Sequence, residues 1–166
     1  SNEVTIDHSI VVPLMFVRPE TDLPIVPILT NCIAPPLPRP KRFYEVGQAI
    51  RGVIDSLPTD KRIAVVVSGH LSLEIGGPKQ FERKLMDPNF DASAVGWISQ
   101  GDVNGAVNHC SFEQLKSSGN MTHGFLNFIM MMGVANAARP SHAEGLDAGF
   151  PAVPFFCWEA KPEAGL

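Results

Sequence analysis

Between Arg62 and Pro78 the chain reads RIAVVVSGHLSLEIGGP, and this stretch constrains the fold more than any other. Ile63, Ala64, Val65, Val66 and Val67 form an apolar, largely β-branched run that ends in Ser68-Gly69. A short run of this kind, closed by small residues, reads as a buried strand feeding a loop. Open α/β sheets collect ligands at the carboxyl ends of such strands. His70, Ser72 and Glu74 stand just past this one, before Gly76-Gly77-Pro78 turns the chain. Glycine permits positive φ and proline fixes φ, so the turn is sharp. An ordinary strand and turn with incidental polar residues would show the same spacing.

The flanking segments keep an α/β rhythm. In FYEVGQAIRGVIDSL, residues 43–57, apolar side chains fall at helical spacing and Pro58 closes the run. The spacing after the strand predicts a helix over 91–100 capped by Asp91, and a short helix over 102–108. Ser111 and Gln114 form a capping box for a third, which Gly119-Asn120 ends. Residues 122–138, THGFLNFIMMMGVANAA, are apolar around nearly the whole circumference, as in a helix buried on most sides. Residues 10–17, IVVPLMFV, could be strand or helix. Pro13 is tolerated in a first helical turn but not in a central strand, so a helix is expected, with Asp7 or Ser9 as its cap. LPIVPILT, residues 23–30, suits an edge strand, and the prolines of residues 31–40 hold an extended loop. Residues 78–89 and 139–149 read as polar loops, and AVPFFCW, residues 152–158, as a last buried strand. The expected fold class is α/β, a central mixed, partly parallel sheet with flanking helices, in a single domain over 1–166.

Composition narrows the function. A chain of 166 residues, 45% apolar, can bury one real core. Its net charge of -4 offers no basic surface for nucleic acid, and no apolar run reaches the length of a membrane span. Cys32, Cys110 and Cys157 are odd in number and far apart, which suggests reduced thiols in a cytoplasmic protein rather than a disulfide framework or zinc knuckle. No Ser-His-Asp set, phosphate loop or cysteine-nucleophile setting stands out.

An ordered set of segments carries a resemblance. These are DHSIVVPL (7–14), LPIVPILTNCIAPPLPRP (23–40), FYEVGQAIRGVI (43–54), VVVSGHLSLEIGGP (65–78), SFEQLKSSGNMTHGFLNFIMMMGV (111–134) and FFCW (155–158). In this order they resemble the class III extradiol ring-cleavage dioxygenases, typified by the catalytic β-subunit of protocatechuate 4,5-dioxygenase and by gallate dioxygenase. The likeness covers nearly the whole chain, but only the C-terminal part of a typical member. It implies cleavage of a catechol-type aromatic small molecule with non-haem Fe(II) and O₂. In such enzymes two histidines and a carboxylate hold the iron and leave positions open for substrate and oxygen. The resemblance places both histidines in an N-terminal stretch with no counterpart here, and the glutamate at Gly124. It places an acid/base histidine at Leu73.

The resemblance therefore implies that this chain alone does not bind Fe(II) well. It makes His8, within Asp-His-Ser, a histidine beside the substrate. His8 and His70 are the candidate catalytic residues, His70 because a histidine three positions before Leu73 could take over proton transfer. Ser72, Glu74 and His123 are the candidate substrate-binding residues, and the loop over 68–78 is expected to line the principal pocket. A solvated or capping histidine is the plainer reading for each, as it is for His109 and His142. The likeness also suggests assembly as a homo-oligomer or with a related subunit. A non-catalytic paralogous subunit and a small-molecule binding protein remain the alternatives.

Overall fold

The computed structural model describes residues 8–17, 19–20, 23–81, 86–146 and 153–159. Helix α1 (His8–Val17) carries Pro13 and buries none of its residues. Ser9 lies inside α1, and Asp7 lies outside the described residues. Helix α2 (Pro40–Ser56) starts on proline, whose fixed φ and missing N–H suit a first turn. Then come α3 (Pro88–Gln100), α4 (Val103–Asn108) and α5 (Phe112–Ser117). A 3₁₀ turn over Thr122–Phe125 leads into α6 (Leu126–Val134), and strands β1 (His142–Leu146) and β2 (Val153–Cys157) close the described chain.

The core lies where α2 crosses α6. Phe43 of α2 lies in one buried cluster with Leu126, Ile129, Met130 and Met132 of α6 and with Ile98, Leu115 and Phe125. Backbone approaches backbone at the crossing: a β-carbon on Gly47 would run into the Met130 carbonyl, and one on Gly133 into the Tyr44 carbonyl. Glycine at both positions lets the two helices come this close.

Much of the local reading holds. The helix at residues 43–57 is α2, begun three residues earlier at Pro40. Asp102 caps α4 by accepting from the Gly105 N–H. The capping box of α5 is complete, Ser111 Oγ accepting from Gln114 N while Gln114 Oε1 accepts from Ser111 N. Helix α3 corrects its expected start. Its cap is Asp87, which accepts from Phe90 N, and Pro88 occupies the first turn. Asp91 is inside the helix, so residues 88 and 89 are helical rather than loop. The helix expected over 122–138 is shorter. It begins as a 3₁₀ turn and stops at Val134, where Asn136 (φ 51°) and Ala137 (φ 58°) are left-handed and the Ala137 N–H bonds the Met132 carbonyl.

The sheet departs most from expectation. Among the described residues there is one sheet, β1 and β2 paired antiparallel from His142 opposite Cys157 to Leu146 opposite Val153. Residues 142–146, expected as loop, form its first strand. Residues 62–70 and 24–31 run without a ladder partner among the described residues. Nor is the 63–67 run buried, since Ile63 is 45% and Val66 61% exposed. A β-branched run fits a pleated, half-covered surface, and burial depends on neighbours that the run itself does not specify. The described residues are mixed α/β, about half of them helical, and contain no central parallel sheet.

Candidate functional site

The loop after residue 67 is fastened along the 3₁₀ turn and the start of α6. Asn127 Nδ2 donates to the Ser68 carbonyl at 2.9 Å. Leu73 N donates to Thr122 Oγ1 at 3.2 Å, and Met121 N to the Leu73 carbonyl at 2.9 Å. Asn120 closes the far end, accepting from Ile75 N and donating to the Ile75 carbonyl. Two glycines permit this contact. A β-carbon on Gly69 would sit 2.6 Å from the Gly124 carbonyl, and one on Gly124 would sit 2.9 Å from His70 Cδ2.

His70 therefore rests one ring edge on the Gly124 backbone while the residue as a whole stays exposed. The protein packed around its ring pushes its pKa below the ordinary histidine range, and the His8 cation adds to the effect. The first residue of α1 and the loop residue are thus within electrostatic reach of each other. His70 is biased toward the neutral imidazole, which can accept a proton.

The other candidates are placed differently. Ser72 is buried, with N and Oγ both donating to Asp91 at 2.8 Å while Oγ accepts from Asp87 N at 3.1 Å. Burial raises the Asp91 pKa, and the two Ser72 bonds oppose that. Asp87 is held below the usual carboxylate range by its bonds from Phe90 N and Ser118 Oγ. Glu74 folds over Gly77, where an added β-carbon would strike its carboxylate. His123 is buried, its ring on Phe112 at 4.7 Å between centroids and its Nε2 3.3 Å from the Phe112 carbonyl oxygen. His109 stacks on Trp97, and His142 lies 3.4 Å from Glu144.

Asn127 is the residue that sequence reasoning missed. It ties Ser68 to Thr30, whose Oγ1 donates to Asn127 Oδ1 at 2.7 Å, and so joins both extended segments to α6. A lone amide within an otherwise apolar helix was the available signal.

Residues 69–73, Phe128, Val153 and Pro154 line a cavity of about 80 Å³ beside His70. The expectation that this loop lines the principal pocket is not met, because a cavity of about 390 Å³ lies elsewhere, between α2, α4, α5 and His123. Among the described residues no three or more His, Cys, Asp or Glu side chains gather where they could hold a metal ion.

Residues 1–154 match the family model described as the catalytic LigB subunit of aromatic ring-opening dioxygenase. Gallate dioxygenase of Pseudomonas putida is 31% identical over 77 residues, 45% of this chain and 23% of that protein. A 2,3-dihydroxyphenylpropionate/2,3-dihydroxicinnamic acid 1,2-dioxygenase of Photorhabdus laumondii is 37% identical over 68 residues, 40% of this chain and 21% of that protein. The matched stretches thus span less than a quarter of the length of these curated relatives. No solved structure matches the chain. No helix among the described residues is long and apolar enough to cross a membrane.

Proposed function

We propose, because this chain belongs to the family of the catalytic LigB subunit of aromatic ring-opening dioxygenase, that it serves in extradiol cleavage of catechol-type aromatic rings. The observation that carries the reading is the family match over residues 1–154, together with His70 on the loop fastened to the 3₁₀ turn, where it also feels the His8 charge. A catechol must lose a phenolic proton before its ring is opened, and a neutral histidine can take it. His70 is the base in this reading. His8, across from it, orients the second hydroxyl and stabilises the negative charge that remains.

The non-haem iron of such enzymes supplies the coordination of catecholate and oxygen. The described residues do not fit it. Gly124 stands where the resemblance calls for a carboxylate, and the His70 ring edge is 2.9 Å from where its β-carbon would be. Asp91, a buried carboxylate of α3, is committed to Ser72. Ser72 and Glu74 hold the loop, through Asp91 and over Gly77, and His123 packs against Phe112.

Exposed apolar side chains support an assembly. Val26 and Leu29 in one extended segment and Val66 in the other are 86%, 69% and 61% exposed. Apolar surface on this scale is seldom left bare. The central, partly parallel sheet is proposed to form when these segments gain neighbours in the whole protein, as an oligomer or beside a related subunit. A cytoplasmic setting suits the free thiols of Cys32, Cys110 and Cys157. The second reading, a non-catalytic paralogous subunit, is favoured by Gly124 and by Leu73 at the base position.

Oxygen uptake separates the two. In the assembled protein with whichever partner supplies the missing iron ligands, and with Fe(II) and gallate or 2,3-dihydroxyphenylpropionate, the catalytic reading expects turnover that His70→Gln lowers at least tenfold. Turnover that His70→Gln leaves unchanged would remove His70 from the chemistry. No turnover under any of these conditions would leave the non-catalytic subunit as the better account.

A further inference from the structure

Asn127 stands near the start of α6, between the buried Leu126 and the half-buried Phe128. Both ends of its amide are engaged. Nδ2 donates to the Ser68 carbonyl at 2.9 Å, and Oδ1 accepts from Thr30 Oγ1 at 2.7 Å. A carbonyl can only accept, so the amide has one orientation here, nitrogen toward Ser68 and oxygen toward Thr30. Cys32 Sγ lies 3.6 Å from the same Oδ1. Burial raises the Cys32 pKa, so the thiol keeps its proton and is a second, weaker donor.

Ser68 precedes His70 by two residues, with Gly69 between them. Downstream of His70 the chain is fixed by the burial of Leu71, by Ser72 N on Asp91 and by Leu73 N on Thr122. Upstream, Gly69 has no side chain to pin the backbone. Among the described residues, the bond from Asn127 is the hydrogen bond that reaches residues 62–70. The His70 ring itself lies edge-on against Gly124, one turn before Asn127.

We propose that Asn127 is a positioning residue for His70, and that Thr30 holds Asn127 in the orientation this needs. The inference rests on the reading of His70 as the base. It adds that the ring is kept in place from α6, through the Ser68 carbonyl, and that the extended segment ending at Thr30 steadies the arrangement from the other side. Position matters here because a misplacement of about 1 Å in a reacting group can cost on the order of a hundredfold in rate.

The contact of His70 with Gly124 can be read without turnover, as the NOE between the His70 ring Hδ2 and the Gly124 Hα protons. Asn127→Leu removes the amide but keeps a similar size and favours helix, so α6 should persist. It is expected to weaken this NOE at least twofold. Thr30→Val is expected to weaken it as well, and Thr30→Ser, which keeps the hydroxyl, to retain it. In the assembled protein with Fe(II) and gallate, Asn127→Leu should lower kcat about threefold or more with KM little changed, and should lower it no further in a His70→Gln background. A wild-type NOE in Asn127→Leu, a Thr30→Ser variant that behaves as Thr30→Val does, or a further loss on top of His70→Gln would each overturn the proposal. An NOE lost in Asn127→Leu, with turnover that His70→Gln leaves unchanged, would instead support the positioning of the ring and overturn its assignment as the base.

Discussion

Gly124 holds its backbone against the imidazole edge of His70, so that a β-carbon added there would lie 2.9 Å from His70 Cδ2 and 3.2 Å from the His70 backbone nitrogen. The ring can swing away, but the backbone nitrogen cannot move without loosening the loop. Gly124→Glu is therefore expected to displace His70 without creating a working site. A loss of ~1–3 kcal/mol in urea unfolding and a shifted His70 ring signal would match this overpacking. A wild-type midpoint with an unmoved ring would show that the contact has more room than the geometry indicates.

His70 should titrate below the ordinary histidine range, because burial and the His8 charge both disfavour its cation. The sign follows. In the window between its folded and unfolded pKa the unfolded chain binds more protons, so this group makes stability rise with pH there. His8→Gln removes the repelling charge and should move the His70 midpoint up, though not fully, since burial is the larger cause. Proton NMR of the ring C–H signals reads this directly. A midpoint unchanged by His8→Gln would mean that the two histidines are not coupled.

Two glycines of α2 should answer oppositely to alanine. Gly47 is wedged against the Met130 carbonyl, with backbone rather than a pliable side chain in the way. Gly47→Ala should cost at least the ~1–3 kcal/mol typical of overpacking. Gly52 has nothing within 4 Å of an added β-carbon, so Gly52→Ala should gain ~0.5–1 kcal/mol from helix propensity alone. Chemical denaturation of both variants checks the pair, and equal shifts would contradict the helix crossing described here.

The capping box of α5 and the helix periods were legible in the sequence because they are local. Ser111 and Gln114 need only each other, and the apolar faces of α2 and α6 repeat within a few turns. What could not be read depends on partners distant in sequence. Asp91 looked like a helix cap because nothing near it discloses Ser72, 19 residues away, to which its carboxylate is bound. The 63–67 run shows its extended form in its composition, but its exposure depends on which strands lie beside it. The influence of the His8 charge on His70 was not legible either, since 62 residues separate the two and no motif links them. The cavity bounded by Arg39 and His123 gathers residues from five separate stretches that no motif connects.

Ser72 joins the loop to the cap and the first turn of α3 through one hydroxyl, and its removal makes a prediction with a distinct pH signature. Ser72→Ala loses the Oγ–H bond to Asp91 and leaves Asp87 N without its acceptor. A buried carboxylate deprived of a donor costs ~1–3 kcal/mol. The Asp91 pKa is already raised by burial, and losing the Ser72 hydroxyl should raise it further. A raised carboxylate pKa means that the folded state holds protons which the unfolded chain has released, so stability falls as pH rises through that window. Asp87 has the opposite sign. Its depressed pKa gives stability that is present above the ordinary carboxylate value and lost as pH falls. The Ser72→Ala penalty should therefore be larger near pH 7, where Asp91 must carry its charge with one donor fewer, than near pH 4. Urea unfolding of wild type and variant at both pH values measures the difference. A penalty independent of pH would show that Asp91 does not feel the Ser72 hydroxyl as a charge-stabilising donor.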